Sequence, residues 1–414
     1  MASLYYSCHS SPGFLWQLIN QISDPKEIQD IFPKLLPIDG SILPSQLNDE
    51  SFCLILPGWK FIGTEHEQEL ISKSLSAVSS LVDSGKCTLL IDFSNEAASI
   101  GFVERVSQLL CACGIADTST VILISQNRLL SESTLSCALT HMCADAFVVS
   151  AWLECKRLLL QTPLEEWLDY KSNYQHDLLC LNATPRWHRL YVLLKLIEVG
   201  LVKPTSAELC NNSHYIPFIS FPGLSYGKGG TLDQNEFCSI LSGINQSHLL
   251  AYLDELLKVC PLKVDDFNAT GNQLASMIDI RPYLSTKISV VTETALDSST
   301  HRITEKTMKA LALGHPFVTI GHPRSLEFVA AFGYAQWDDL IDNDYDSELH
   351  WPTKVEKALQ SVKQYLKYVK IGGEAEAQVN QVRLKNIYWT LNGFQDMYFR
   401  QIVVPLLRVI RRAF

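Results

Sequence analysis

Residues 304–321 read TEKTMKALALGHPFVTIG, a helix pattern (TEKTMKALALG) running into a short apolar strand pattern (PFVTIG). Just upstream, KISVVTET at 287–294 is a second apolar strand pattern, separated from the helix by a polar loop. Strand, helix and strand at this spacing form a right-handed crossover between parallel strands. The same alternation recurs outward in both directions, which sets the fold class as α/β.

Toward the N-terminus, SFCLILPG, CTLLIDFS and STVILISQN read as buried strands. HEQELISKSLSAVSSLVDSG and GFVERVSQLLCACG read as the intervening helices, stopped at Gly85 and Gly114. STLSCALTHMC is expected as a further helix and AFVVSAW as a further strand. The pattern breaks at the polar, aromatic EWLDYKSNYQHD, and a linker is expected near residue 172. A second series follows: strand LLCLN, helix after ATPRWHR closed by Gly200, a loop-rich stretch over 203–243, and helix SHLLAYLDELLKVC. After the 287–321 segment, RSLEFVAAFG is a helix with its stop at Gly333, and two long helical patterns finish the chain. The expected organisation is a Rossmann-like acceptor domain at 1–172 and a Rossmann-like ligand domain at 173–352, facing a cleft. C-terminal helices at 353–414 pack back across the domains.

The 414 residues, 47% hydrophobic and 19% charged, suffice for two cored domains. A formal net charge of −10 argues against a broad nucleic-acid surface, but leaves room for a local basic pocket around a phosphorylated small molecule. The 12 cysteines are scattered, with no CxxC pair and no zinc spacing, and read as reduced, small apolar residues. The N-terminal sequence lacks the pattern of a secretory signal. No apolar run reaches the roughly 18 residues of a membrane span, since LYVLLKLIEVGLV is broken by Lys195 and Glu198. A cytoplasmic location is expected. RVIRRAF at the C-terminus is read as a docked helix with exposed arginines, and against that as a contact with the anionic cytoplasmic membrane face.

Three places could carry chemistry. Thr304 is a good N-cap, and Glu305 suits the positive end of a helix dipole. Lys306 conflicts with that dipole unless a phosphate or carboxylate offsets it. A Glu can accept from both hydroxyls of a ribose, and a Lys at a helix N-terminus can hold a diphosphate. The plain alternative is a solvated helix start. The second place is LLCLNATPRWHRLYVLLKL, where Arg186, His188 and Arg189 crowd a helix start after a strand end, the ligand-binding edge of open parallel sheets. There the alternative is salt bridging on an acidic surface. The third is LLIDFSNEAAS, where Asp92 or Glu96 could act as a general base on an acceptor hydroxyl, or merely cap the next helix. Two acidic runs, VDDF at 264–267 and DNDYD at 342–346, read as linker and solvated turn rather than as a metal site.

The segments LNATPRWHR, ISVVTET, ITEKTMKALALGHPFVTIG and SLEFVAAFGY, in this order and spacing, resemble a group of bacterial and viral glycosyltransferase-like proteins. The ITEK helix start also resembles the nucleotide-binding helix of the α-1,3-fucosyltransferases, which have the GT-B fold. This resemblance covers about residues 178–346. It implies two Rossmann-like domains of GT-B type, with Glu305 on the ribose, Lys306 and Arg186 or Arg189 on the phosphates, and Glu293 matching an acidic position just upstream. The family's Asn-Ser after that Glu is replaced here by Thr294-Ala295, so the donor sugar does not carry over.

The expected activity is transfer of a sugar from a GDP- or UDP-linked donor to a hydroxyl of a glycan, protein or lipid-linked acceptor, inverting by analogy, with no metal and no further cofactor. Glu96 or Asp92 is the expected base, and Arg186, Arg189, Glu293, Thr304, Glu305 and Lys306 the donor site. The alternatives are a catalytically inactive GT-B-like binding or assembly protein and, with less support, an epimerase. No GxGxxG follows the early strands, which counts against a dinucleotide fingerprint.

Overall fold

A computed structural model describes residues 3–7, 35–38, 51–132, 139–168, 176–182, 186–202, 214–215, 234–259, 277–296 and 300–412. The chain divides into two compact units. The first comprises residues 1–150, 299–302 and 393–414, and the second residues 151–298 and 303–392. The expected linker around residue 172 lies outside the described residues; the two units divide at Ser150, inside a helix. The terminal helices are also shared out, with residues up to 392 in the second unit and the rest in the first.

The first unit holds a six-stranded sheet, all parallel, in the order β2-β1-β3-β4-β5-β6. Its strands are β1 (Ser3–Ser7), β2 (Leu35–Ile38), β3 (Phe52–Pro57), β4 (Cys87–Phe93), β5 (Val121–Ser125) and β6 (Thr140–Cys143). Every residue of β3, β4 and β5 is buried, as befits strands covered on both faces by helices. Helix α1 (Glu65–Asp83) opens with a reciprocal capping box between Thr64 and Glu67 and buries Ile71, Leu75, Val78 and Val82 along one stripe. Helix α2 (Ile100–Ala112) is capped by Ser99, which accepts from the Phe102 N–H, and buries Phe102, Val103, Val106 and Leu110. Each such aliphatic side chain contributes about 1.5–3 kcal/mol on burial.

The second sheet has four parallel strands in the order β10-β9-β7-β8. They are β7 (His176–Leu179), β8 (His214–Tyr215), β9 (Thr286–Thr292) and β10 (Phe317–Ile320). Around them lie α3 (Ala146–Gln161), which carries the chain out of the first unit, α4 (Trp187–Glu198), α5 (Glu305–Ala312) and α6 (Ser325–Ala331). Then come α7 (Trp351–Val369) and α8 (Glu374–Asn392). No described helix is long and apolar enough to cross a membrane.

Several sequence expectations are corrected. THMC forms the edge strand β6 rather than part of a helix, and AFVVSAW opens α3 rather than forming a strand. The apolar run looked like a strand over seven letters. Continued to Gln161, it buries Val148, Trp152, Cys155 and Leu159 at helical spacing. The stretch read as loops contains β8 and a helix at Gln234–Gly243. VDDF lies outside the described residues. DNDYD is only partly a solvated turn: Asp346 is buried, accepts from the Leu326 N–H at 2.7 Å and pairs with the buried Lys354 at 3.0 Å. The final helix, α9 (Val404–Arg412), buries Leu406 and Leu407 and exposes Arg408. The described cysteines are all free.

Gly85 and Gly314 both follow a helix with positive φ, +71° and +61°. A Cβ on Gly85 would meet open space, whereas one on Gly314 would lie 2.7 Å from the Arg383 carbonyl. Gly85→Ala is expected to cost about 1 kcal/mol of left-handed strain. Gly314→Ala is expected to cost about 1–3 kcal/mol more by overpacking. Urea unfolding of the two variants checks this, and equal costs would mean that α8 does not press on the end of α5.

Candidate functional site

In the second unit the polar side chains gather at the C-terminal edge of the sheet, where β7, β9 and β10 end. This is the edge at which open parallel sheets bind ligands. The strands deliver Asn182, Glu293 and Gly321 to one level: the Thr292 hydroxyl donates to Asn182 Oδ1, and the Glu293 N–H donates to the Ile320 carbonyl at 2.9 Å.

Glu293 is at the centre of this edge and is 1% exposed. Its carboxylate accepts from the Thr304 N–H at 3.0 Å and from the hydroxyls of Thr304 and Thr307. Its backbone carbonyl accepts from His188 Nε2 at 3.0 Å and Arg189 Nη2 at 3.3 Å. One residue thus ties the start of α5 to the start of α4. Gly321 makes the room, because a Cβ there would lie 2.8 Å from Glu293 Cγ. A buried carboxylate is tolerated only when donors surround it, and here three converge.

At the start of α5, Thr304 is the N-cap, and its hydroxyl oxygen accepts from the Lys306 N–H at 3.4 Å. Lys306 Nζ contacts the Glu305 carboxylate at 2.5 Å. Lys309, one turn on, donates to the Met277 carbonyl at 2.9 Å. Burial alone would raise the Glu305 carboxyl, but Lys306 and Lys309 outweigh it and hold it at about 2. Glu305 is therefore an ionised acceptor at neutral pH, and the conflict of Lys306 with the helix dipole is offset by its neighbour.

At the start of α4, Arg186 is the exposed N-cap residue. Arg189 is 2% exposed, and burial pulls it down to about 10, with the Arg186 charge adding to the effect and Glu305 and Glu293 opposing it. It stays cationic at neutral pH. Burial also lowers His188 to about 3, so the imidazole is neutral and Nε2 carries the hydrogen donated to Glu293. Of the two arginines, Arg186 faces solvent and Arg189 braces the interior. The sequence-selected residues Arg186, Arg189, Glu293, Thr304, Glu305 and Lys306 accordingly share one electrostatic neighbourhood. Thr307, Gly321 and Asn182 join them. Thr307 was visible as a second hydroxyl in TEKT, while Gly321 and Asn182 gave no signal without the sheet register.

In the first unit, Asp92 near the end of β4 turns inward. Its Oδ1 accepts from the Ser94 N–H at 3.1 Å and the Ser94 hydroxyl at 2.7 Å, so it closes a local turn, while the next helix, α2, is capped by Ser99. Glu96 is 47% exposed at its side chain and pairs with Arg302 Nη1 at 2.8 Å. Among the described residues no cluster of His, Cys, Asp and Glu is arranged to hold a metal ion. Comparison with known proteins adds no relative: no family model, curated protein or solved structure matches the chain.

Two outcomes follow from these contacts. Glu293→Gln removes an acceptor from a buried, donor-rich position and is expected to cost about 1–3 kcal/mol, read by urea unfolding. Wild-type stability would mean that the carboxylate is not holding α5. For Glu305, the carboxyl is depressed from 4.5 to about 2 in the folded state. Its contribution is therefore complete above pH 4.5 and lost as pH falls through about 2. The stability difference between wild type and Glu305→Gln is expected to shrink over that window, by up to about 3 kcal/mol. A difference independent of pH would contradict the ion-pair assignment.

Proposed function

We propose that the chain is a glycosyltransferase that moves a sugar from a nucleoside-diphosphate donor, GDP- or UDP-linked, to an acceptor hydroxyl. The observation that carries this reading is the grouping of Arg186, Lys306 and the ionised Glu305 at the C-terminal edge of the second sheet. A diphosphate needs fixed cations. A ribose diol needs an acceptor-only group, and an ionised Glu provides one. In this reading Glu305 takes the ribose hydroxyls, and Lys306 and Arg186 take the phosphates. Glu293, Thr304 and Arg189 hold these groups in place from behind.

The chemistry is a single displacement with inversion. The acceptor oxygen attacks the anomeric carbon, the bond to the diphosphate breaks, and the electron pair leaves on the diphosphate, where the cations stabilise it. A carboxylate of the first unit takes the hydroxyl proton. No metal is required, because fixed cations neutralise the leaving group. The finer architecture that this activity calls for, two Rossmann-like units of GT-B type facing a cleft with the terminal helices across both, is part of the proposal. So are a glycan, protein or lipid-linked acceptor and a cytoplasmic location.

A binding-only protein on the same scaffold is the second reading. It is favoured by the engagement of both sequence-selected carboxylates, Asp92 by Ser94 and Glu96 by Arg302.

Thermal unfolding with UDP, GDP, ADP, CMP and dTDP tests the donor site. A nucleotide at a hundred times its Kd adds about 2.7 kcal/mol, a rise of several degrees for a chain of this size. The expected result is stabilisation by UDP or GDP, reduced tenfold or more in affinity in Lys306→Ala and Arg186→Ala. Hydrolysis of the matching nucleotide sugar then separates the readings, since stabilisation without turnover supports the binding protein. No stabilisation by any of the five removes the ground for both.

A further inference from the structure

Helix α4 is covered on every side. From His188 to Ile197 each residue is buried, including the charged Arg189 and Lys195. Its first residue, Trp187, is the apolar exception. It stays half-buried beside the exposed Arg186, although it is the largest apolar side chain of the helix. An indole carries about 150–250 Å² of surface, so a fold gains much by closing over it. This one is left partly open at the ligand-binding edge of the sheet, next to a solvent-facing cation.

Trp187 belongs to an aromatic corner. Its ring meets that of Trp351, the first residue of α7 and also half-buried, at 4.7 Å between centroids with the planes 65° apart. Trp351 in turn meets the buried Tyr191, one helical turn along α4, at 4.8 Å and 83°. Trp187 also meets His188 at 5.4 Å and 81°. In none of these contacts are two rings stacked face to face, so the half-buried indoles are oriented without being sandwiched. His188 is the residue whose Nε2 donates to the Glu293 carbonyl at 3.0 Å. The corner is thereby fastened to the residue that holds the starts of α4 and α5. Arg189, two residues beyond Trp187, feels the charges of both Arg186 and Glu305, which places the corner and the Glu305 carboxylate around one buried guanidinium.

We propose that the half-buried indole of Trp187, oriented by Trp351, is the platform on which the nucleobase of the donor stacks. This deepens the donor-site reading above and rests on it. There Lys306 and Arg186 take the phosphates and Glu305 the ribose, and the base is left without a partner. Every base has a planar π face, and losing an aromatic partner for it weakens binding about 5- to 150-fold. The competing role is structural: Trp187 packs the start of α4 against α7 and touches no ligand.

The experiment is calorimetric titration of wild type, Trp187→Phe and Trp187→Leu with GDP, UDP and inorganic pyrophosphate, with the melting temperature of each protein. For the tighter of GDP and UDP, Trp187→Leu is expected to weaken binding about 5- to 150-fold. Trp187→Phe is expected to weaken it only a few-fold, because a phenyl ring keeps a stacking face. Pyrophosphate has no base, and its affinity, read directly or by displacement of the nucleotide, is expected to be the same in all three proteins. Where the leucine variant does not fold, the contact is read in Trp187→Phe as reduced quenching of tryptophan emission by the nucleotide, and quenching equal to wild type overturns the proposal. A leucine variant that binds nucleotide as wild type does, or that loses nucleotide and pyrophosphate equally, shows the packing role alone and overturns it too. Wild type that binds neither GDP nor UDP instead removes the donor site itself, and the stacking role with it.

Discussion

The second unit depends on how a carboxylate is buried. Glu293 could not stay in the interior without donors, because an isolated buried charge costs several kcal/mol. Thr304 and Thr307 supply them from the first turn of α5. The same residue's carbonyl accepts a hydrogen bond each from His188 and Arg189 at the start of α4. Two helix N-termini that are far apart in sequence are thereby held to one strand end. Arg186, Glu305 and Lys306 project from these termini, so their spacing follows from a knot whose members are each buried.

The two units use the same elementary rule differently. A parallel sheet leaves its C-terminal edge as the place where loops and helix starts meet. In the second unit that edge is cationic at the helix starts, with one ionised carboxylate, Glu305. In the first unit it is a hydrogen-bonded cluster around Gln126 and Arg302, with Glu96 at its exposed side.

Much of this was legible from the letters. Near-continuous apolar runs such as FCLILP and CTLLIDF could only be interior parallel strands, and they are fully buried. TEKT announced a capped helix start, and Thr304 caps it. What failed did so for stated reasons. AFVVSAW was too short a window to separate period 2 from period 3.6, so α3 was read as a strand and THMC, an edge strand with little burial, as part of a helix. The burial of Glu293 was not legible either, because Gly321, just past the end of the neighbouring strand, makes the room for it and only the register brings the two within reach.

The central claim is that the Glu293 knot presents Arg186, Glu305 and Lys306 together to a nucleoside diphosphate. A crystal structure with the most stabilising nucleoside diphosphate tests it most directly. The account expects the phosphates on Lys306 and Arg186, the ribose diol on Glu305, and Glu293 still bound only to Thr304, Thr307, His188 and Arg189. A nucleotide seated at any other edge of the fold, or one that displaces Thr304 from Glu293, would contradict it.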